Sequence, residues 1–483
     1  MKRTLYFLLP LLALFIAFLP TEDPSGGGKG AAAGAIQKKV REIRGDKGGM
    51  VQLPKGLLGP EDLALEDAFD RKKQPWAFSL PHMPIPKNLV GIRAKDCGAC
   101  HTKIYAEWKS TTHAHALSDL QFQAELSKPD SPKWLCLNCH IPLADQRKKH
   151  TLGLKKGNVL TPITWPNPNF NKELRKEAVT CAVCHLRVGK DGKSYIQGPR
   201  GSKLSPHPVR KDPERLRAVC LRCHDPQGER VTPNLLCWFT TRKELEDGGH
   251  KATACADCHM PTTERRLMEA HEGLPIRKVH RHTWPGAGIP KEFPLYRSLL
   301  QSGWKTGLSI KVQRNAEGIQ VRLRNDKAGH AVPTGDPERF VLVRVRAFGL
   351  QGREVWSAKK RIGQTWKWSP AKKIGDNRID PGETRILDFK PPRAMKTVLE
   401  ILNVKLSRDS VRSMVASKGL DEDLLPGANR KIQKLPQLYP YATYIYRQVW
   451  EGSAKKGKLS KPERLIELSQ KERFIPPKDR GYE

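Results

Sequence analysis

The chain has 483 residues, too many for one small core and suited to two or three domains. Its apolar content is 38% and its mean hydropathy −0.58, with 39 Gly and 38 Pro, so aliphatic side chains alone do not fill a core of that size. Lys and Arg number 86 against 50 Asp and Glu; this formal +36 suits anionic partners, but its spread along an exported chain argues against nucleic acid.

The first residues, MKRTLYFLLPLLALFIAFLP, join a basic start (Lys2, Arg3) to an apolar run too short to span a bilayer comfortably. Residues 1–20 therefore read as a secretory signal, and the protein as periplasmic or otherwise extracytoplasmic. No A-x-A site follows Leu19 clearly, so the alternative is an uncleaved N-terminal anchor that holds the chain at a membrane surface. Residues 21–75, opening with TEDPSGGGKGAAAGA, read as linker.

Residues 76–304 carry the strongest signal. Ten of the eleven cysteines form five copies of C-x-x-C-H: Cys97, Cys100 and His101; Cys136, Cys139 and His140; Cys181, Cys184 and His185; Cys220, Cys223 and His224; Cys255, Cys258 and His259. In this pattern the two thiols add to the vinyl groups of haem, and the next residue places an imidazole beneath the ring as proximal iron ligand. Disulfides and zinc sites also use paired cysteines, but neither needs a His after every second Cys, and four-cysteine zinc sites take the pairs in twos. The reading is five c-type haems on short helices and long loops, with the macrocycles supplying the missing apolar area. About ten propionate charges would reduce the positive charge without reversing it. The eleventh cysteine, Cys237 in NLLCWFTT, reads as a buried free thiol.

From residue 305 the texture becomes β-rich. LSIKVQ, IQVRLRN, RFVLVRVRAFG, TRILDF and VLEILNVKL are short runs separated by turn signals, and residues 305–410 read as an all-β sandwich of immunoglobulin-like type. The fold class is thus a mostly α and irregular multihaem domain followed by a β-sandwich. Residues 411–483 read as a basic, proline-punctuated extension in which ATYIYRQVW is either a strand or a helix.

Four stretches, CGACHTKIYAEWKSTTHAHA, VTCAVCHLRVGKDGKSYIQGPRG with SPHPV, CADCHMP with HRHTWPG, and NDKAGHAVPTG, resemble the multihaem cytochromes of the cytochrome c554 family, related to the hydroxylamine oxidoreductase superfamily. The likeness covers roughly residues 90–345. Family members with four haems differ from the five motifs here, so ligand pairing does not transfer as a set.

A haem with one axial His is open to small ligands, and a second His closes it. If IYAEWKSTTHAHA is helical, Ile104, Trp108 and His115 share a face and His113 points the other way, toward a different haem from that of Cys97 and Cys100. The resemblance agrees, and His113 is preferred over His115. It also implies distal roles for His207, His282 and His330; His280 competes with His282, and His250 is the remaining choice for a fifth ligand.

The function expected is extracytoplasmic electron transfer to and from redox partner proteins, acidic ones by charge. The alternatives are an oxidoreductase acting on a small nitrogen or sulfur compound at a five-coordinate haem, and a subunit of a conducting filament or surface redox complex. No C-x-x-C-K variant or catalytic constellation supports the enzyme.

Overall fold

The computed structural model describes residues 42–44, 50–52 and 56–452, apart from 203, 227–228, 233–234, 238, 287–288, 290–303 and 439–441, together with 458–459 and 463–464. The expected signal or anchor lies outside the described residues, as does the side chain of Cys237. Among the described residues no helix is long and apolar enough to cross a membrane.

The motifs sit on single helical turns. Cys181–His185 and Cys255–His259 are helices in themselves, Lys133–His140 ends on its motif, and Leu221–His224 carries the fourth. In the first motif the backbone N–H of His101 donates to Cys97 O, and in the fourth His224 N–H donates to Cys220 O, both at 3.0 Å. One such turn brings cysteines i and i+3 to the same side and sets the histidine directly after them.

The apolar clusters here are small and lie against the motifs. Trp76, Phe78, Trp134 and Leu135 form one; Met83, Leu143, Leu174, Val183 and Leu186 form another; Phe122, Leu126 and Ile141 belong to a third. This segment begins earlier than its composition suggests: Leu63–Ala64, within the expected linker, pairs with strand Lys149–Leu154, and Leu65 is buried beside Trp76.

After residue 304 two antiparallel sheets face each other. The smaller has the order Ser309–Arg314, Ile319–Arg324, Thr384–Phe389. The larger runs Ala371–Asp376, Glu354–Trp368, Phe340–Phe348, Lys396–Val404, Ala442–Glu451, with Lys458–Leu459 and Glu463–Arg464 paired onto the last strand. The alternation legible in RFVLVRVRAFG sorts its side chains: Val341, Val343 and Val345 join Val321, Leu323, Leu399 and Ile401 between the sheets. Phe340 and Leu342 point the other way. ATYIYRQVW is a strand, so the sheet draws on the segment expected to be an extension.

The second face of the large sheet is covered by helices Arg408–Val415 and Ala428–Gln433, and also by Leu120 and Ala124 of helix Leu120–Ser127. A helix of the motif-bearing segment therefore shares a core with the β-region. On the same face lies Glu400, 1% exposed, which accepts from Arg344 Nε (3.0 Å) and Arg346 Nη2 (3.0 Å).

Candidate haem-binding site

Three histidine pairs stand across gaps of nearly equal width. Ring centroids are 6.1 Å apart for His113 and His224, 6.1 Å for His185 and His282, and 6.3 Å for His259 and His330, the last two rings lying within 6° of parallel. A metal–imidazole bond of roughly 2 Å on each side, plus about 1 Å from each nitrogen to its ring centre, separates two axial imidazoles on one metal by roughly 6 Å. Each pair thus joins a motif histidine to a histidine from a distant segment at the span one iron requires.

The orientation of the rings supports the same use. Nδ1–H of His185 donates to Gln197 O (3.0 Å), that of His282 to His280 O (3.1 Å), that of His330 to Ala331 O (2.9 Å), that of His140 to Ala116 O (2.8 Å) and that of His101 to Leu267 O (3.2 Å). A carbonyl only accepts, so the proton is on Nδ1 and the Nε2 lone pair is left for a metal. Burial disfavours the charged form at four rings of the three pairs: it lowers His185 and His224, takes His259 to about 4 with His330 and His224 adding to it, and takes His282 to about 3 with His185 adding to it.

His113 and His115 part company on this test. Nε2 of His115 faces Lys109 O at 3.2 Å and must carry the proton there, whereas His113 faces His224. His207 is lowered chiefly by burial, and His101 is near enough to contribute; its Nδ1 lies 3.2 Å from Ser205 Oγ. His280 is held by Met260 O at 2.7 Å, and the ring opposite His185 is that of His282. His250 makes no ring contact with a motif histidine among the described residues; a Cβ at Gly329 would meet its ring at 3.0 Å, so it packs under the His330 loop. His140 stacks on Phe122 at 3.4 Å between centroids.

The motifs are themselves in contact. Cys97 and Cys181, Cys139 and Cys223, and Cys220 and Cys255 lie close enough for each thiol to shift its partner's titration. The fourth motif therefore touches both the second and the fifth. A cavity of about 2360 Å³ is lined by the second, fourth and fifth motifs and by His330. Cysteine pairs and imidazoles on its wall and this open volume fit covalently held haem.

The β-region reaches the site through the loop of His330. Asn325, fully buried, donates from Nδ2 to His330 O and Ile379 O, each at 2.9 Å. Glu244, on helix Thr241–Asp247, accepts from Thr334 Oγ1 and Arg378 Nη1, both at 2.6 Å. Gly248 lets the surfaces close, since a Cβ there would be 2.7 Å from Gly329 O.

Several contributors gave no signal in the sequence, among them Glu107, Glu244 and Asn325. Trp284, within HRHTWPG, was visible but had no role assigned; its ring meets His113 at 4.8 Å and His282 at 5.4 Å, both edge to face.

Residues 96–161, which contain the first two motifs, match the family described as cytochrome c554 and c-prime. No curated protein matches the chain. Among solved structures it is similar to a penta-heme cytochrome c552 from Thermochromatium tepidum, with 21% identity over 68% of this chain and 94% of that one and a TM-score of 0.44. The segment matched is the one from which His113 crosses to His224, and over those residues the chain is similar to the multihaem c-type cytochromes of the cytochrome c554 family.

Proposed function

We propose that this protein is an extracytoplasmic electron carrier holding five c-type haems. The observation that carries the reading is the set of three imidazole pairs at 6.1–6.3 Å, each joining a motif histidine to a distant one. Haem would supply one-electron chemistry; the ten motif cysteines would hold it covalently, and axial pairs would set its potential and close it to small ligands. His113, His282 and His330 would serve the fourth, third and fifth motifs, and His207 the first. The cysteine contacts support one continuous conduit, in which the third, second and fifth motifs meet around the fourth: Cys184 adds to the electrostatic environment of Cys220. The β-region, read as an immunoglobulin-like sandwich, would be a ligand-donating part of the carrier. The residual positive charge suits an acidic redox partner.

A reading as an oxidoreductase of a small nitrogen or sulfur compound draws on one observation. Glu338, with Asp336 and Arg339, lines the same cavity as His140, and burial raises its carboxyl to about 7, where it can give up a proton near neutral pH.

Haem quantification by pyridine haemochrome with intact mass, joined to electron paramagnetic resonance of the oxidised protein, tests the carrier reading. Five covalent haems with low-spin signals dominant are expected. Fewer than five haems per chain would defeat it.

A further inference from the structure

One buried carboxylate lies beside a candidate haem ligand without being a ligand itself. Glu107 accepts four hydrogen bonds: from Arg265 Nη1 at 2.7 Å and Nη2 at 2.9 Å, from Arg281 Nε at 3.3 Å, and from the backbone N–H of His282 at 2.9 Å. The carboxylate and the Arg265 guanidinium are 12% and 10% exposed, so water competes little for either. A charged acceptor in such surroundings binds more strongly than a neutral one.

We propose that Glu107 is a positioning residue that holds His282 opposite His185. The inference rests on the reading that these two imidazoles share an iron. Glu107 lies on helix Thr102–Lys109, which starts at the histidine of the first motif. The next residue, Trp108, donates from Nε1 to Val179 O at 2.8 Å, two residues before Cys181. Neighbouring side chains of one helical turn thus grip both ends of the axial pair: Trp108 holds the strand of chain leading into the third motif, and Glu107 holds the segment carrying the distal ligand. His282 itself stands just beyond a two-stranded hairpin, Thr262–Arg265 with Arg277–His280, that grows from the fifth motif. The hairpin fixes His280, whose carbonyl orients the His282 ring, and the backbone of His282, two residues further on, is held by the carboxylate. Three motifs are joined in this way to one ligation.

Glu107→Gln keeps the shape but replaces one acceptor oxygen with an amide that faces donors, and it leaves Arg265 buried without its countercharge. In the full-length holoprotein it should keep every covalent haem, by intact mass, while adding a high-spin resonance amounting to one haem and carbon monoxide binding above the wild-type level. His282→Ala is the reference for that signature, and Glu107→Asp, which restores the charge, should return most of the low-spin signal. A Glu107→Gln protein with wild-type resonance and carbon monoxide response would overturn the proposal. If that variant fails to accumulate with all its haems, Arg281→Gln, a change at a more exposed donor, should show the same signature in part, and wild-type behaviour there would overturn the proposal equally. An unaltered spectrum in His282→Ala would instead remove the ligation on which the proposal stands.

Discussion

Glu338→Gln should make the protein more stable above neutral pH and leave it nearly unchanged in acid. Burial raises the Glu338 carboxyl from its ordinary 4.5 to about 7, with Asp336 and Glu125 adding repulsion and Lys128 opposing it. The folded protein therefore holds this proton more tightly than the unfolded chain does. The stability it contributes is fully present below about pH 4.5 and is lost as pH rises through about 7. A rise from 4.5 to about 7 at 1.36 kcal/mol per pH unit corresponds to about 3 kcal/mol. Glutamine cannot ionise, so the variant should lack that fall. Denaturant unfolding of the holoproteins, followed by the Soret band at pH 4.5, 6 and 8, measures the difference directly. Parallel pH curves for variant and wild type, or a variant less stable at pH 8, would refute the reasoning.

At the contact between the two regions, Gly248→Ala should open the haem of the fifth motif. The new Cβ would lie 2.7 Å from both Gly329 O and a Pro381 ring carbon, and the loop of His330 must retreat; carbon monoxide binding by the reduced protein should rise toward that of His330→Ala. Glu400→Ala leaves Arg344 and Arg346 buried beside each other without their carboxylate, and urea unfolding should show a loss of about 3–5 kcal/mol. His113→Ala should convert one haem to high spin while His115→Ala does not, because Nε2 of His115 is committed to Lys109 O; the reverse result in paramagnetic resonance would reassign the ligand.

Legibility in the sequence followed range. C-x-x-C-H is a local code, since one helical turn suffices to place two sulfurs and an imidazole, and the five copies could be read without any fold. The alternation in RFVLVRVRAFG likewise announced a strand with two different faces, because the pleat has a period of two. The same rule did not say what those faces meet. One packs on the smaller sheet; the other meets Leu120 and Ala124, so a helix from the motif-bearing segment lies in a core that the composition had placed in a separate domain.

The sequence by itself determined where the five C-x-x-C-H motifs stand, that ten histidines fall outside them, and that apolar side chains are too few to fill a core of this size. Only the tertiary structure decided which of those histidines faces which motif. Helical phase favoured His113, but the deciding facts are that His115 spends its Nε2 on a backbone carbonyl and that His250 lies under the His330 loop. Glu107 and Glu244 were invisible for the same reason. A carboxylate that holds a ligand loop is defined by the donors that converge on it from other segments, and no spacing along the chain records that convergence.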